Sequence, residues 1–303
     1  MKSRFIPING LKQKVYFWGN PKKPVLVLVH GWLDTGASFD FLCRHLEKDF
    51  YCVAPDMRGY GKSEHGKNPL GYFFFEYVAD LHALVHKISP HKKVNLLGHS
   101  LGGAVTSIYA GLYPEKMDHL INVEGFGFRD ELISNAPARV RRWLEGFGTK
   151  RFRMHNSFAD FAQRLRQSNT HLPQDRALFL ARHLGRQTKK GVIIAADPLH
   201  KLMEPYSFST ELFFEFWKNI KARCLLIHAK QTEMNQYFRL KNFEKEMTRR
   251  MKAFPKGTKR VALSGCGHMV HHEVPEELAE VVKKFLIFNG RSGLSGPSGH
   301  GVQ

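Results

Sequence analysis

Short hydrophobic runs separated by polar loops divide the chain into alternating strands and helices. The runs that predict strands are residues 11–18, 25–29, 50–55, 94–97, 120–123, 224–227 and 260–263. Helices are predicted by periodicity or composition at residues 38–48, 72–88, 104–113, 236–251 and 275–288. The continuous aliphatic run from Val25 to Val29 is typical of a strand covered on both faces in a parallel sheet.

The alternation stops between Gly125 and about Ile220, where the sequence is helical in character, aromatic and rich in arginine. Strand–helix alternation interrupted by a helical block predicts an α/β fold, with a doubly wound, mostly parallel sheet and an inserted helical cap. We expect residues 1–127 and 221–288 to form the core and residues 128–220 to form the cap. Residues 289–303 are rich in Gly and Ser and predict a flexible tail.

The composition is that of an ordinary globular enzyme. The 303 residues are 43% hydrophobic and 24% charged. No apolar run reaches the ~20 residues that a membrane span needs, and no signal peptide is recognisable. We therefore expect a cytoplasmic protein without a membrane span. The cysteines lie far apart in apolar surroundings and predict buried free thiols: Cys43, Cys52, Cys224 and Cys266.

A formal net charge of +19 raises the question of a nucleic acid or an anionic membrane as partner. The excess is spread over the chain beyond residue 128 and is not gathered into one arm. Its densest part is Arg139-Val140-Arg141-Arg142, followed by Lys150-Arg151-Phe152-Arg153. We interpret this as a solvated basic face and expect no specific nucleic-acid partner. Weak, salt-sensitive binding of a polyanion stays open as an alternative.

The sequence Gly98-His99-Ser100-Leu101-Gly102 stands between a predicted strand and a predicted helix. Strand, tight turn and helix is the context in which G-x-S-x-G forms a nucleophile elbow. We expect Gly98 and Gly102 to avoid collisions in the turn and to accept unusual backbone angles. Such a turn exposes the Ser100 hydroxyl and directs the positive end of the next helix at any anion formed there.

Together with three further motifs, this elbow resembles the α/β-hydrolase fold superfamily over roughly residues 10–288. Those motifs are His30-Gly31, Asp56-x-Arg58-Gly59-x-Gly61-x-Ser63, and Gly265-Cys266-Gly267-His268 with Glu273 and Pro275 behind it. Two segments resemble the serine hydrolase-like proteins more closely: His30 to Asp34 with Ser38-Phe39 after it, and Ser168 to Leu172 in the cap.

A serine hydroxyl needs a base within hydrogen-bond reach, because it is a weak nucleophile at neutral pH. The candidate is His268, in a glycine-rich loop just after the last predicted strand. The chain order Ser, acid, His is the order that this fold uses. The resemblance implies that the backbone N–H groups of Trp32 and Leu101 form the oxyanion hole.

The position of the third triad residue, the acid that holds the histidine, departs from the commonest pattern of the superfamily. That pattern has an aspartate a few residues beyond the strand at 224–227. Thr232 falls at that place, and Glu233 comes one residue late. Glu124 ends the preceding strand, and in some members, dehalogenases among them, an acid there completes the triad. We expect Glu124 to hold His268, with Glu233 as the alternative acid. Glu124 could instead be a hinge carboxylate that pairs with a cap arginine.

We expect no metal and no organic cofactor. His268, His271 and His272 lie close together, but no carboxylate or Cys pattern at zinc-site spacing accompanies them. The predicted reaction is serine hydrolysis of a small-molecule acyl compound, first of all a carboxylic ester. Aromatic residues of the cap region suggest a partly apolar substrate: Phe126, Phe128, Trp143, Phe147 and Phe152. The alternatives are a non-catalytic binding protein on a hydrolase frame and a carbon–carbon bond hydrolase.

Overall fold

A computed structural model describes residues 1–238 and 242–288 of the chain. The tail predicted at residues 289–303 lies outside the described residues. All four cysteines are buried and free, as predicted. Within the described ranges, no helix is both long enough and apolar enough to cross a membrane.

In the described residues, ten strands form one large sheet and one small hairpin. They are β1 (Lys2–Ile8), β2 (Leu11–Trp18), β3 (Val25–Val29), β4 (Tyr51–Pro55), β5 (Val94–His99), β6 (Met117–Val123), β7 (Gly185–Thr188), β8 (Gly191–Ile194), β9 (Arg223–Ala229) and β10 (Lys259–Leu263). The large sheet has eight strands in the order β1-β2-β4-β3-β5-β6-β9-β10. From β4 to β10 the neighbours pair in parallel, whereas β1–β2 and β2–β4 are antiparallel.

Helices cover both faces of this sheet. They are α1 (Asp40–Leu46), α2 (Phe74–Ile88), α3 (Leu101–Leu112), α4 (Ala136–Glu145), α5 (Phe158–Ser168), α6 (Gln174–Leu184), α7 (Thr210–Trp217), α8 (Met234–Phe238), α9 (Phe243–Met251), α10 (Val270–Glu273) and α11 (Pro275–Phe288). Helices α2, α3 and α7 contribute to one hydrophobic cluster, and α1 and α11 contribute to a second one on the opposite face. The prediction of a doubly wound, mostly parallel sheet is confirmed.

The segment predicted as the cap, residues 128–220, contains α4 to α7 and the β7–β8 hairpin. Helices α5 and α6 share a small core of their own with Val192 of β8. Helix α4 differs, because none of its ten residues is buried.

The hairpin and strand β1 were not predicted. Most of β1 is exposed and polar at its start, so it carries little hydrophobic pattern, but it pairs with β2 along its whole length. The helix predicted at 236–251 corresponds to two helices, α8 and α9, on either side of residues 239–241.

Candidate active site

The elbow is built at the end of β5, where Ser100 leads directly into α3. Ser100 has φ 52°, in the left-handed region that non-glycine residues rarely occupy. A Cβ on Gly98 would overlap the carbonyl oxygen of Gly102, and one on Gly102 would overlap the carbonyl oxygen of Val29. Neither glycine has positive φ. The two glycines are therefore required for space, and the unusual backbone angle belongs to the serine itself.

Three distant segments meet at the carboxyl end of the sheet. His268 Nε2 lies 3.0 Å from Ser100 Oγ. His268 Nδ1 lies 3.0 Å from Glu124 Oε2. Ser100 follows β5, Glu124 follows β6 and His268 follows β10, and parallel strands present these ends at one edge. The arrangement joins a hydroxyl, an imidazole and a carboxylate in one hydrogen-bonded line.

Glu124 is held in a buried position by several contacts. The residue is 1% exposed and has φ 55°. Its Oε1 accepts a hydrogen bond from the N–H of Ala229 at 2.8 Å, and Oε2 accepts one from the Thr232 hydroxyl at 2.5 Å. Thr232 is thus a direct hydrogen-bond partner of Glu124 that was not predicted from the sequence. The one indication in the sequence was its position, because Thr232 stands where the superfamily usually has the aspartate of the triad.

The alternative acid does not reach the imidazole. Glu233 is exposed and lines the cavity in front of Ser100, and among the described residues His268 pairs with Glu124. The hinge interpretation of Glu124 also finds no support, since no arginine of the described ranges forms an ion pair with it.

The two expected oxyanion donors lie beside the serine. Trp32 and Leu101 both line the cavity that contains Ser100. Within the described part of the chain, neither backbone N–H has a hydrogen-bond acceptor. Leu33, with φ 57°, turns the chain just after Trp32. The Trp32 indole donates a hydrogen bond to the carbonyl oxygen of His200 in the cap, at 3.1 Å.

His99, the residue before Ser100, holds the backbone of His268. Its Nε2–H donates to the carbonyl oxygen of His268 at 2.8 Å. Burial, together with the nearby His271 and His268, holds the pKa of His99 well below its usual value, so its ring stays neutral. The sequence analysis did not single out this residue.

One buried cluster has donors that a metal ion could use. Ligand atoms of Asp34, His271 and His272 lie within 4.8 Å of one another. The sequence analysis had found no carboxylate for these histidines. Asp34 Oδ2, however, already accepts a hydrogen bond from the Ser38 hydroxyl at 3.0 Å and lies 3.0 Å from His271 Nε2. These contacts explain the cluster as a brace that ties the Trp32 loop to the helix after His268.

The Asp56 motif also braces loops. Asp56 Oδ1 accepts the N–H of Gly36 at 2.8 Å, and Oδ2 accepts the N–H of Lys62 at 2.9 Å. Burial raises the pKa of Asp56 to about 7, although these hydrogen bonds act to lower it. The Arg58 guanidinium is bonded to Asp80 at 2.6 and 2.7 Å.

A cavity of about 870 Å³ opens in front of Ser100. Its aromatic lining residues are Trp32, Tyr60, Tyr72, Phe74, Tyr77, Phe128, Phe208 and Tyr237. Of the five aromatic residues from which an apolar substrate was inferred, Phe128 lines this cavity, and the other four are not among its described lining residues. The apolar surface is present, but side chains of the core supply more of it than the cap does.

The far end of the cavity carries charges that are largely neutralised. Arg129 and Arg139 both pair with Glu131, and Arg139 also donates to the carbonyl oxygen of Glu204 at 2.7 Å. Burial raises the pKa of Glu204 to about 7. This end can therefore accept polar substrate groups without presenting a strong net charge.

Comparisons with known proteins agree with this architecture. The chain is 28% identical to human "Serine hydrolase-like protein 2" over 89% of its length and 88% of that protein. It is 26% identical to "Serine hydrolase-like protein" of Danio rerio, covering 93% of the chain and 86% of the relative. Among solved structures, the "Thioesterase Domain From Curacin Biosynthetic Pathway" superposes with a TM-score of 0.82 at 23% identity, covering 93% of the chain and 99% of that domain. The resemblance inferred from the motifs is confirmed.

The family model described as the alpha/beta hydrolase fold matches residues 24–275, which is most of the chain. The protein therefore belongs to the α/β hydrolase fold family.

Proposed function

We propose that this protein is a serine hydrolase that cleaves a partly apolar acyl compound, first of all a carboxylic ester, through an acyl-enzyme. Ser100 Oγ attacks the acyl carbon and passes its proton to His268 Nε2, which then protonates the departing alcohol. Water enters, gives a proton to His268, and attacks the acyl carbon. The carboxylic acid then leaves, and the proton returns to Ser100.

The observation that carries the proposal is the pair of 3.0 Å contacts from Ser100 through His268 to Glu124 at the floor of the cavity. Glu124 would hold the Nδ1–H tautomer and stabilise the imidazolium that forms during attack. The N–H groups of Trp32 and Leu101 would bind the developing oxyanion. Each such donor is typically worth about 10²–10³ in rate.

Two further observations support the substrate class. The aromatic cavity wall can cover an alkyl or aryl portion, and similarity to serine hydrolase-like proteins over most of the chain supports hydrolase activity. A serine nucleophile distinguishes this reaction from one that begins with an aspartyl ester.

A fluorophosphonate probe tests the nucleophile. Wild-type protein should be labelled, Ser100→Ala should not, and Ser3→Ala, which changes an exposed serine of β1, should be labelled like wild type. An acyl-chain series of p-nitrophenyl esters then measures kcat/KM, which should rise by up to about fourfold per methylene while the chain lies on the apolar wall. Absence of both labelling and turnover would favour a non-catalytic binding protein. Labelling without any ester turnover would favour carbon–carbon cleavage.

A further inference from the structure

Helix α4 of the cap exposes an apolar stripe that nothing in the described chain covers. Ile133, just before the helix, and Val140 and Leu144 within it are spaced so that they fall on one face. Ile133 is 90% exposed, Leu144 57%, and the adjacent Leu132 73%. Aliphatic side chains this exposed and this close together mark an interaction surface more often than an ordinary solvent face.

Exposed positive charge borders this stripe. Between Arg139 and Arg153 the chain has six Lys or Arg residues and one acid, Glu145. Arg139 turns inward to Glu131, and Arg142, three residues later, lies on the same side of the helix. Arg141 lies next to the stripe, is exposed, and takes part in no ion pair among the described residues. The surface therefore joins aliphatic side chains to an exposed cation, as membrane-surface helices do.

The same helix forms part of the cavity wall. Arg139 lines the cavity, and Gly146, at the end of α4, packs against Leu202, another lining residue. Trp143 ties the helix to the core by donating to the carbonyl oxygen of Leu70 at 3.2 Å. One side of α4 thus faces the cavity of Ser100, and another side presents the apolar stripe to the outside.

We propose that α4, with Leu132 and Ile133 before it, docks the protein on an anionic lipid surface and sets the cavity beside that surface. The aliphatic side chains enter the boundary between head groups and acyl chains, and Arg141 contacts lipid phosphates. A nucleic acid would account for the cations but offers little to exposed Ile and Leu side chains, whereas a lipid bilayer accounts for both. The surface does not depend on the proposed chemistry.

Co-sedimentation of the full chain with vesicles tests this docking. Vesicles of phosphatidylcholine with phosphatidylglycerol should bind the protein, and vesicles of phosphatidylcholine alone should bind it much more weakly. Arg141→Gln should lower partitioning about fivefold at low ionic strength, and Arg142→Gln, on the opposite side of the helix, should lower it less. Ile133→Ser with Leu144→Ser should lower it about tenfold or more.

Matched changes elsewhere give the controls. Lys22→Gln with Lys23→Gln removes two exposed cations of a core turn, and Leu112→Ser removes an exposed aliphatic side chain of α3. Both should leave vesicle binding unchanged, and Ser100→Ala should bind like wild type, which separates this test from that of the chemistry. Thermal unfolding of each variant shows that it remains folded.

Two results would overturn the proposal. One is absence of binding to the anionic vesicles at low ionic strength. The other is binding that an RNA oligonucleotide displaces and that the Ile133 and Leu144 changes do not weaken. That result would identify a polyanion patch and not a lipid-docking face.

Discussion

The edge of the sheet around Ser100 and the outer side of α4 are built in opposite ways. At the sheet edge, the side chain of Glu124 is buried, and both of its oxygens accept hydrogen bonds. On α4 no residue is buried, and the exposed face combines aliphatic side chains with an unpaired arginine among the described residues. The contrast teaches that neighbouring strands hold the triad side chains in place, whereas the described chain leaves the outer face of α4 uncovered.

Glu124→Gln should give the largest effect, because a neutral amide cannot stabilise the imidazolium of His268. We expect kcat on a p-nitrophenyl ester to fall on the order of 10³–10⁴-fold with an unchanged fold. Glu233→Gln is the control and should keep turnover near that of wild type. Near-normal turnover in Glu124→Gln would contradict this prediction and would indicate that Glu233 is the triad acid.

The contact of His200 with Tyr60 and Tyr72 should respond to pH. Burial is the main reason that the pKa of His200 is lowered to about 3, while its ring is stacked between Tyr60 and Tyr72. Because the pKa of His200 is lower in the folded than in the unfolded protein, the stability that its neutral ring contributes is present above about pH 6.5 and is lost as pH falls towards 3. The free energy of unfolding should decrease by about 2 kcal/mol between pH 7.5 and 5.

Thermal unfolding of wild type and His200→Gln over this pH range measures that slope. The variant should be less stable at pH 7.5 but should show a flatter pH dependence. An equal pH dependence of stability in wild type and in His200→Gln would mean that protonation of His200 does not weaken this contact.

Thr232→Val should give the smallest effect, because it removes one donor to Glu124 and keeps the shape of the side chain. We expect kcat to fall roughly tenfold, with KM nearly unchanged, for the loss of a hydrogen bond to a charged group. Thr232→Ser should restore the rate, and the pH profile of kcat/KM should shift in the valine variant. A lower Tm with no change in kcat or in this profile would show that Thr232 is merely structural.

Much of this could be predicted from the sequence, because strand runs and glycine-bounded motifs are local signals. Ser100 and His268 were predicted in this way, since each follows a recognisable strand, and Glu124 was preferred to Glu233 through the resemblance to some members of the superfamily. The hydrogen bonds of Glu124 with Thr232 and Ala229 could not be predicted, because they depend on how β6 and β9 lie side by side. The edge strand β1 was missed for a related reason, since its pairing with β2 leaves little apolar periodicity.

The indole bond from Trp32 to the carbonyl of His200 has a mechanical consequence. One residue carries both an oxyanion donor of the proposed reaction and a side-chain hydrogen bond to the segment predicted as the cap. A displacement of His200 would break this hydrogen bond, while the contacts of Asp34 with Ser38 and His271 would still hold the loop. The indole can therefore respond to the position of His200 without loss of the backbone geometry beside Ser100.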